Sequence, residues 1–142
     1  MFIDSQELFA SAQAVTATGD TASTNVLDTG AAQDEGIGEE VLLVVLCTTT
    51  PTSGGAATIQ PVLQTSSDNA TYTDAMTGPA LAYTAITAGQ TLFASRLPIG
   101  LKRYLRVVFR IGTAVLTAGN FSAFLVKDVQ AYQFGASGFT VA

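Results

Sequence analysis

Five of the six basic residues, Arg96, Lys102, Arg103, Arg106 and Arg110, fall within one fifteen-residue stretch, and only Lys127 lies outside it. Guanidinium and ammonium groups at this density suit one kind of chemistry, charge-assisted hydrogen bonding to the carboxylates or phosphates of a partner. The acids lie elsewhere. Residues 1–95 hold ten of the eleven acids and no base, whereas residues 96–142 hold all six bases and one acid, Asp128. In a chain with only 12% charged residues, this division points to attachment, with opposite charges meeting across the molecule or between copies. The candidate interface residues are the five clustered bases, the acidic group Asp34, Glu35, Glu39 and Glu40, and the aromatic residues Tyr132, Phe134 and Phe139 near the end of the chain.

Other chemistries find little support. The chain has no histidine, which excludes histidine general bases, Ser-His-Asp triads and histidine-containing zinc sites. Asp34, Glu35, Glu39 and Glu40 lie in a glycine-containing segment where a calcium ion is conceivable, but their spacing matches no defined calcium loop and a solvated turn accounts for them. No carboxylate pair stands out for hydrolysis and no glycine-rich phosphate loop is present, so neither catalytic residues, a metal nor a cofactor is expected. Cys47 is alone and ends an apolar run, the setting of a buried inert thiol. The net charge of −5 argues against a nucleic-acid partner, because phosphate binding needs a dominant cationic surface.

The N-terminal residues are acidic and lack the basic start and long apolar stretch of a signal peptide, so no secretion is expected. Asn69-Ala70-Thr71 and Asn120-Phe121-Ser122 fit the glycosylation pattern, which would matter only in a secretory protein. The longest aliphatic run, Val41 to Cys47, is far short of the roughly 20 residues that span a bilayer, and no membrane partner is expected.

The elements that must position the charged groups are β-strands. Twenty threonines, thirteen glycines and few charges favour short strands and turns over solvated helices. Residues 1–24 form a polar lead of small residues, expected as a semi-extended N-terminal arm. A β-sandwich domain is expected over residues 25–130. Its strands begin with Asn25 to Asp28 and the doubly buried Val41 to Cys47, followed by a loop over Thr48 to Ala57 marked by Pro51, Gly54 and Gly55. Thr58 to Thr65 is the next strand, pushed towards an edge or a bulge by Pro61, and it forms a hairpin with Thr71 to Thr73. Further strands are expected over Leu81 to Ile86, Gln90 to Ala94, Tyr104 to Ile111 and Asn120 to Val126. Seven or eight short strands separated by turns make an all-β, antiparallel β-sandwich or jelly roll. Residues 131–142 are expected as a C-terminal docking tail.

The basic stretch fits two conformations. As a strand it turns Leu105, Val107, Phe109 and Ile111 to one side and Tyr104, Arg106, Val108 and Arg110 to the other. As a helix it gathers Lys102, Arg103, Arg106 and Arg110 opposite an apolar face, a pattern suited to an anionic membrane or a helix-binding partner. β-Branched and aromatic content, with Gly100 and Gly112 as fences, favours the strand. The plainest role for these arginines is to solubilise an exposed face through weak surface ion pairs.

Several short segments occur in an order that resembles a known family. They are Ala12-Gln13-Ala14-Val15-Thr16-Ala17, Ser23-Thr24-Asn25-Val26-Leu27-Asp28-Thr29-Gly30, Leu63-Gln64-Thr65-Ser66-Ser67-Asp68-Asn69, Arg103-Tyr104-Leu105-Arg106-Val107, Thr117-Ala118-Gly119 and Ala123-Phe124-Leu125. Together they resemble the capsid cement, or decoration, proteins of tailed phages of the Bordetella-phage type. The resemblance implies a jelly-roll-like sandwich on the outer surface of an icosahedral head, clamping neighbouring major capsid protein subunits. It also implies a small homo-oligomer, a dimer in preference to a trimer, made in the host cytoplasm and carried on the virion. The alternative is a free-standing carbohydrate-binding or adhesin sandwich, with Tyr72, Tyr83 and Tyr132 as sugar-stacking residues in a chain without tryptophan.

Overall fold

The computed structural model describes residues 4–35 and 37–127. Among the described residues the chain forms ten strands: β1 (Leu8–Ala14), β2 (Gly19–Ala22), β3 (Leu27–Asp28), β4 (Leu42–Ser53), β5 (Thr58–Ser66), β6 (Thr73–Thr77), β7 (Leu81–Ala82), β8 (Thr91–Arg96), β9 (Tyr104–Gly112) and β10 (Leu116–Val126). A single 3₁₀ turn, Tyr83–Ala85, follows β7 among the described residues. Every strand pairing is antiparallel. One sheet, here sheet A, has the order β1-β10-β4-β8, and the other, sheet B, has β2-β9-β5-β6 with β3 also on β9 and β7 also on β5. The pairs are nested, β1 with β10, β2 and β3 with β9, β4 with β8, and β5 with β7 and β6. This nested pairing, closed by β10 on β4 and β9 on β5, is the winding of a jelly roll.

The layers hold together through one apolar interior. Leu43, Val45 and Cys47 of β4 and Phe121, Ala123 and Leu125 of β10 meet Ile59 and Leu63 of β5 and the four inward residues of β9. Those four, Leu105, Val107, Phe109 and Ile111, are each at most 2% exposed, as the strand reading requires. Their burial contributes about 6–12 kcal/mol as an upper bound. The rings of Phe109 and Phe121 join the two sheets with centroids 5.5 Å apart.

The lead segment is extended, as expected, but it is woven into the sandwich rather than detached. β1 pairs with β10 and β2 with β9, and Phe9, Ala10 and Val15 are at most 1% exposed. Its apolar alternation is masked by register shifts between Leu8 and Ala10 and between Ala10 and Gln13, with Ala12 at φ 46°. The expected loop over Thr48 to Ala57 is also largely strand, because β4 continues to Ser53 along β10. Pro51 is tolerated where the register jumps between the Asn120–Thr49 and Ala118–Thr52 pairs, so its missing N–H interrupts no regular pair. Opposite it, Gly119 at φ 145° brings its backbone close enough that an added Cβ would lie 3.1 Å from the Pro51 side chain.

Pro61 does not put β5 at an edge. β5 lies between β9 and β6, with Pro61 opposite Phe109. The Pro61 carbonyl accepts from Gly78 N–H at 2.8 Å, so its N-side also faces the short break between β6 and β7, where no ladder partner is needed.

Candidate attachment face

Period-two alternation in β9 turns Tyr104, Arg106, Val108 and Arg110 outwards on sheet B, and pairing fixes what stands beside them. Gln64 of β5 lies opposite Arg106, Gln60 opposite Arg110, and Asp20 of β2 flanks Arg110 on the other side. A continuous polar chain crosses four strands as a result. Arg110 Nε and Nη2 donate to Asp20 Oδ1 and Oδ2 at 2.7 and 3.0 Å, and Nη1 and Nη2 donate to Asp74 Oδ2 at 3.2 Å. Asp74 Oδ1 accepts from Gln64 Nε2 at 2.7 Å, and Gln64 Oε1 accepts from Arg106 Nε at 2.9 Å. The Arg106 guanidinium then lies over the Tyr72 ring, 3.7 Å from its centroid, and Tyr72 donates its hydroxyl proton to Asn69.

The electrostatics follow this geometry. Hydrogen bonds from Gln64 and then Arg110 hold the Asp74 carboxyl below its ordinary range, while its two acidic partners push the Arg110 guanidinium further up. Burial raises the Tyr72 phenol, against the pull of Arg106. At the end of this face nearest Tyr104, Arg103 makes a two-point pair with Asp28 at 2.7 and 2.9 Å. That bond, with a second from Gly30 N–H, lowers Asp28 to about 2. The adjacent Ser66 to Ala70 turn is held by Asp68, which is lowered to about 2 by Thr71 and Ala70 N–H groups and the Ser66 hydroxyl.

The bases expected at an interface thus divide into two groups. Arg103 and Arg110 are each matched by carboxylates of the same chain. Arg106 is hydrogen-bonded to a neutral amide and stacked on an aromatic ring, and Lys102 is exposed and makes no ion pair among the described residues. Among the described residues, Arg106 in β9 and Lys102 just before it are therefore the bases without a carboxylate partner.

Arg96 goes elsewhere. It lies at the end of β8 on sheet A and pairs with Glu40 at 3.2 Å. The acidic group is dispersed: Asp34 accepts from Gly100 N–H at 2.6 Å, Glu35 from Gln33 at 2.7 Å, and Glu39 from Lys127 at 2.5 Å. No group of three or more potential metal ligands occurs among the described residues. Beside these acids, Ile37 and Ile99 are 77% and 83% exposed and line a shallow groove with Val41 and Leu97. Tyr132, Phe134 and Phe139, with the expected tail, lie outside the described residues.

Sequence reasoning named the bases but missed Gln64, Asp20, Asp28 and Asp74. The spacing of Gln60 and Gln64 on one face of β5 is the signal that marks an outward polar stripe, once β5 is placed beside β9. Cys47 is a core thiol, raised by burial, with its Sγ directed at the Thr49 carbonyl.

The family model Bbp16 matches residues 9–125, from β1 to the end of β10. The chain belongs to the Bbp16 family. That match spans both sheets and every residue of the polar chain across sheet B, and the family carries the name of a Bordetella phage protein, consistent with a phage protein. No curated protein matches the chain. No helix among the described residues is long and apolar enough to cross a membrane.

Proposed function

We propose that this Bbp16-family protein is a capsid cement protein, binding the outer surface of an icosahedral phage head and holding neighbouring major capsid protein subunits together. The observation that carries the reading is the outer face of sheet B. It is a four-strand surface whose polar groups are fixed by one another, and Arg106 and Lys102 make no ion pair with a carboxylate among the described residues. Such a face meets acidic side chains of a partner without rearranging, so little ordering cost falls on binding. Exposed Ile37 and Ile99 supply a separate apolar contact at the opposite sheet's end. Two modest contacts per subunit, repeated over a shell and doubled in a symmetric dimer, give retention by multivalency rather than by any one strong bond.

The carbohydrate-binding alternative is less well served. The Tyr72 face that a sugar ring would stack on is occupied by Arg106. Enzymatic function has no support in the arrangement of these residues, and the reading is of a structural component of the virion.

The test is co-sedimentation with expanded heads that lack this protein. The double variant Lys102→Glu, Arg106→Glu should lose at least tenfold in occupancy at low salt, and wild-type binding should weaken as salt rises. Equal occupancy of variant and wild type at both salt concentrations would remove the role assigned to these two residues.

A further inference from the structure

Exposed isoleucines scattered singly over a surface are ordinary, but two that converge are not. Ile37 and Ile99 are the most exposed large apolar residues among those described, and they line one groove although they belong to different loops. Strand register explains the meeting. Leu42 pairs with Arg96 and Asp28 with Tyr104, so β3 ends and β4 begins at the end of the sandwich where β8 ends and β9 begins. The β3–β4 loop carries Ile37, and the β8–β9 loop carries Ile99.

Two hydrogen bonds tie these loops together. Leu97 N–H donates to the Val41 carbonyl at 3.2 Å, and Gly100 N–H donates to Asp34 Oδ1 at 2.6 Å. The groove between them has a volume of about 480 Å³, with Ile37, Val41, Leu97 and Ile99 as its apolar wall and Glu35 and Arg96 as its charged one. It has room for a few apolar side chains, and the tied loops hold it ready for them.

Charge decides which apolar segment fits. Arg96 is matched by Glu40 and Glu39 by Lys127, so these four residues add no net charge to the rim. Asp34 and Glu35 are bonded to the Gly100 N–H and the Gln33 amide, and they meet no base among the described residues. The groove is therefore apolar inside and negative at one edge, opposite in sign to Arg106 and Lys102. An acidic segment would be repelled there, whereas a basic one finds its counter-charge. We infer that this groove takes an apolar side chain carried beside a lysine or arginine on a surface segment of the major capsid protein, the apolar group between Ile37 and Ile99 and the base against Glu35. The inference rests on the cement reading and gives its apolar contact a partner of defined chemistry. Each subunit then meets the head through two contacts of opposite sign.

The test uses the full-length protein and expanded heads that lack it. Ile37→Ser combined with Ile99→Ser should keep the far-ultraviolet circular dichroism of the wild type, because both side chains are already exposed. This variant should bind heads about tenfold more weakly at low and high salt alike. Glu35→Lys should also bind about tenfold more weakly at low salt, and its loss should shrink as salt rises. Wild-type affinity in the double serine variant overturns the inference, and so does undiminished binding by Glu35→Lys at low salt. Either result leaves the cement reading standing, since the wild type still binds, whereas failure of the wild type itself to bind heads overturns both. A solution dimer that the serine substitutions dissociate would assign the groove to a second copy and overturn the inference as well.

Discussion

At the residue scale, the basic groups differ by what each one touches. Arg110 is tied between two carboxylates, whereas Arg106 is tied to the amide of Gln64, which is itself only 7% exposed. Gln64 is thus a positioning residue for Arg106. Gln64→Leu should cost about 1–2 kcal/mol in urea unfolding, because two hydrogen bonds to charged partners are lost while those partners regain water. Asp28 and Asp68 set the acid behaviour. Both have folded values of about 2 against an ordinary 3.8, so their stabilising effect is complete above the unfolded value and is lost as pH falls towards 2. The urea midpoint of the wild-type protein should therefore drop between pH 4 and pH 2, and Asp28→Asn together with Asp68→Asn should flatten that drop. An unchanged slope in the double variant would contradict the assignment. The identities of the bases were legible in the sequence. Their partners were not, since Asp20, Asp28 and Asp74 lie 36 to 90 positions away from the arginines they meet.

At the element scale, β9 explains why the strand reading of the basic stretch succeeds. Leu105, Val107, Phe109 and Ile111 line the interior because β9 is paired on both sides, by β5 and by β2 and β3, leaving a helix no place in the sheet. Phe109→Ala should destabilise the fold by about 3–5 kcal/mol in denaturant unfolding, through the lost ring and the cavity left against Phe121. A cost below about 1 kcal/mol would mean that the core had collapsed around the gap. Alternation made β9 legible, and a continuous apolar run did the same for the first half of β4. β1 was hidden by its two register shifts, and the second half of β4 by Pro51, whose missing donor matters only if the register across from it is regular. In each case a long-range partner decided the outcome, β10 for both.

At the scale of the whole molecule, the separation of acids and bases along the sequence is largely cancelled in space. Each ion pair among the described residues joins an acid from before residue 95 to a base at or after residue 96. The sequence makes this inevitable, since no base precedes Arg96 and the one acid after it, Asp128, lies outside the described residues; the winding decides which acid meets which base. The pairs are substantially solvated, with side chains 35–75% exposed, so they contribute more to register and surface order than to stability. Salt should consequently leave the thermal midpoint nearly unchanged while it weakens attachment to heads, a divergence that calorimetry and co-sedimentation on the same samples would reveal. Within this pattern, the outer face of sheet B presents Arg106, stacked on Tyr72 and bonded to Gln64, with Lys102 at the approach to β9. The account is tested most directly by hydroxyl-radical footprinting of the protein free and bound to expanded heads. Tyr72, Tyr104 and the Lys102 to Arg106 segment should lose reactivity several-fold on binding. Full reactivity of these residues in bound protein, with protection confined to other surfaces, would contradict the central claim.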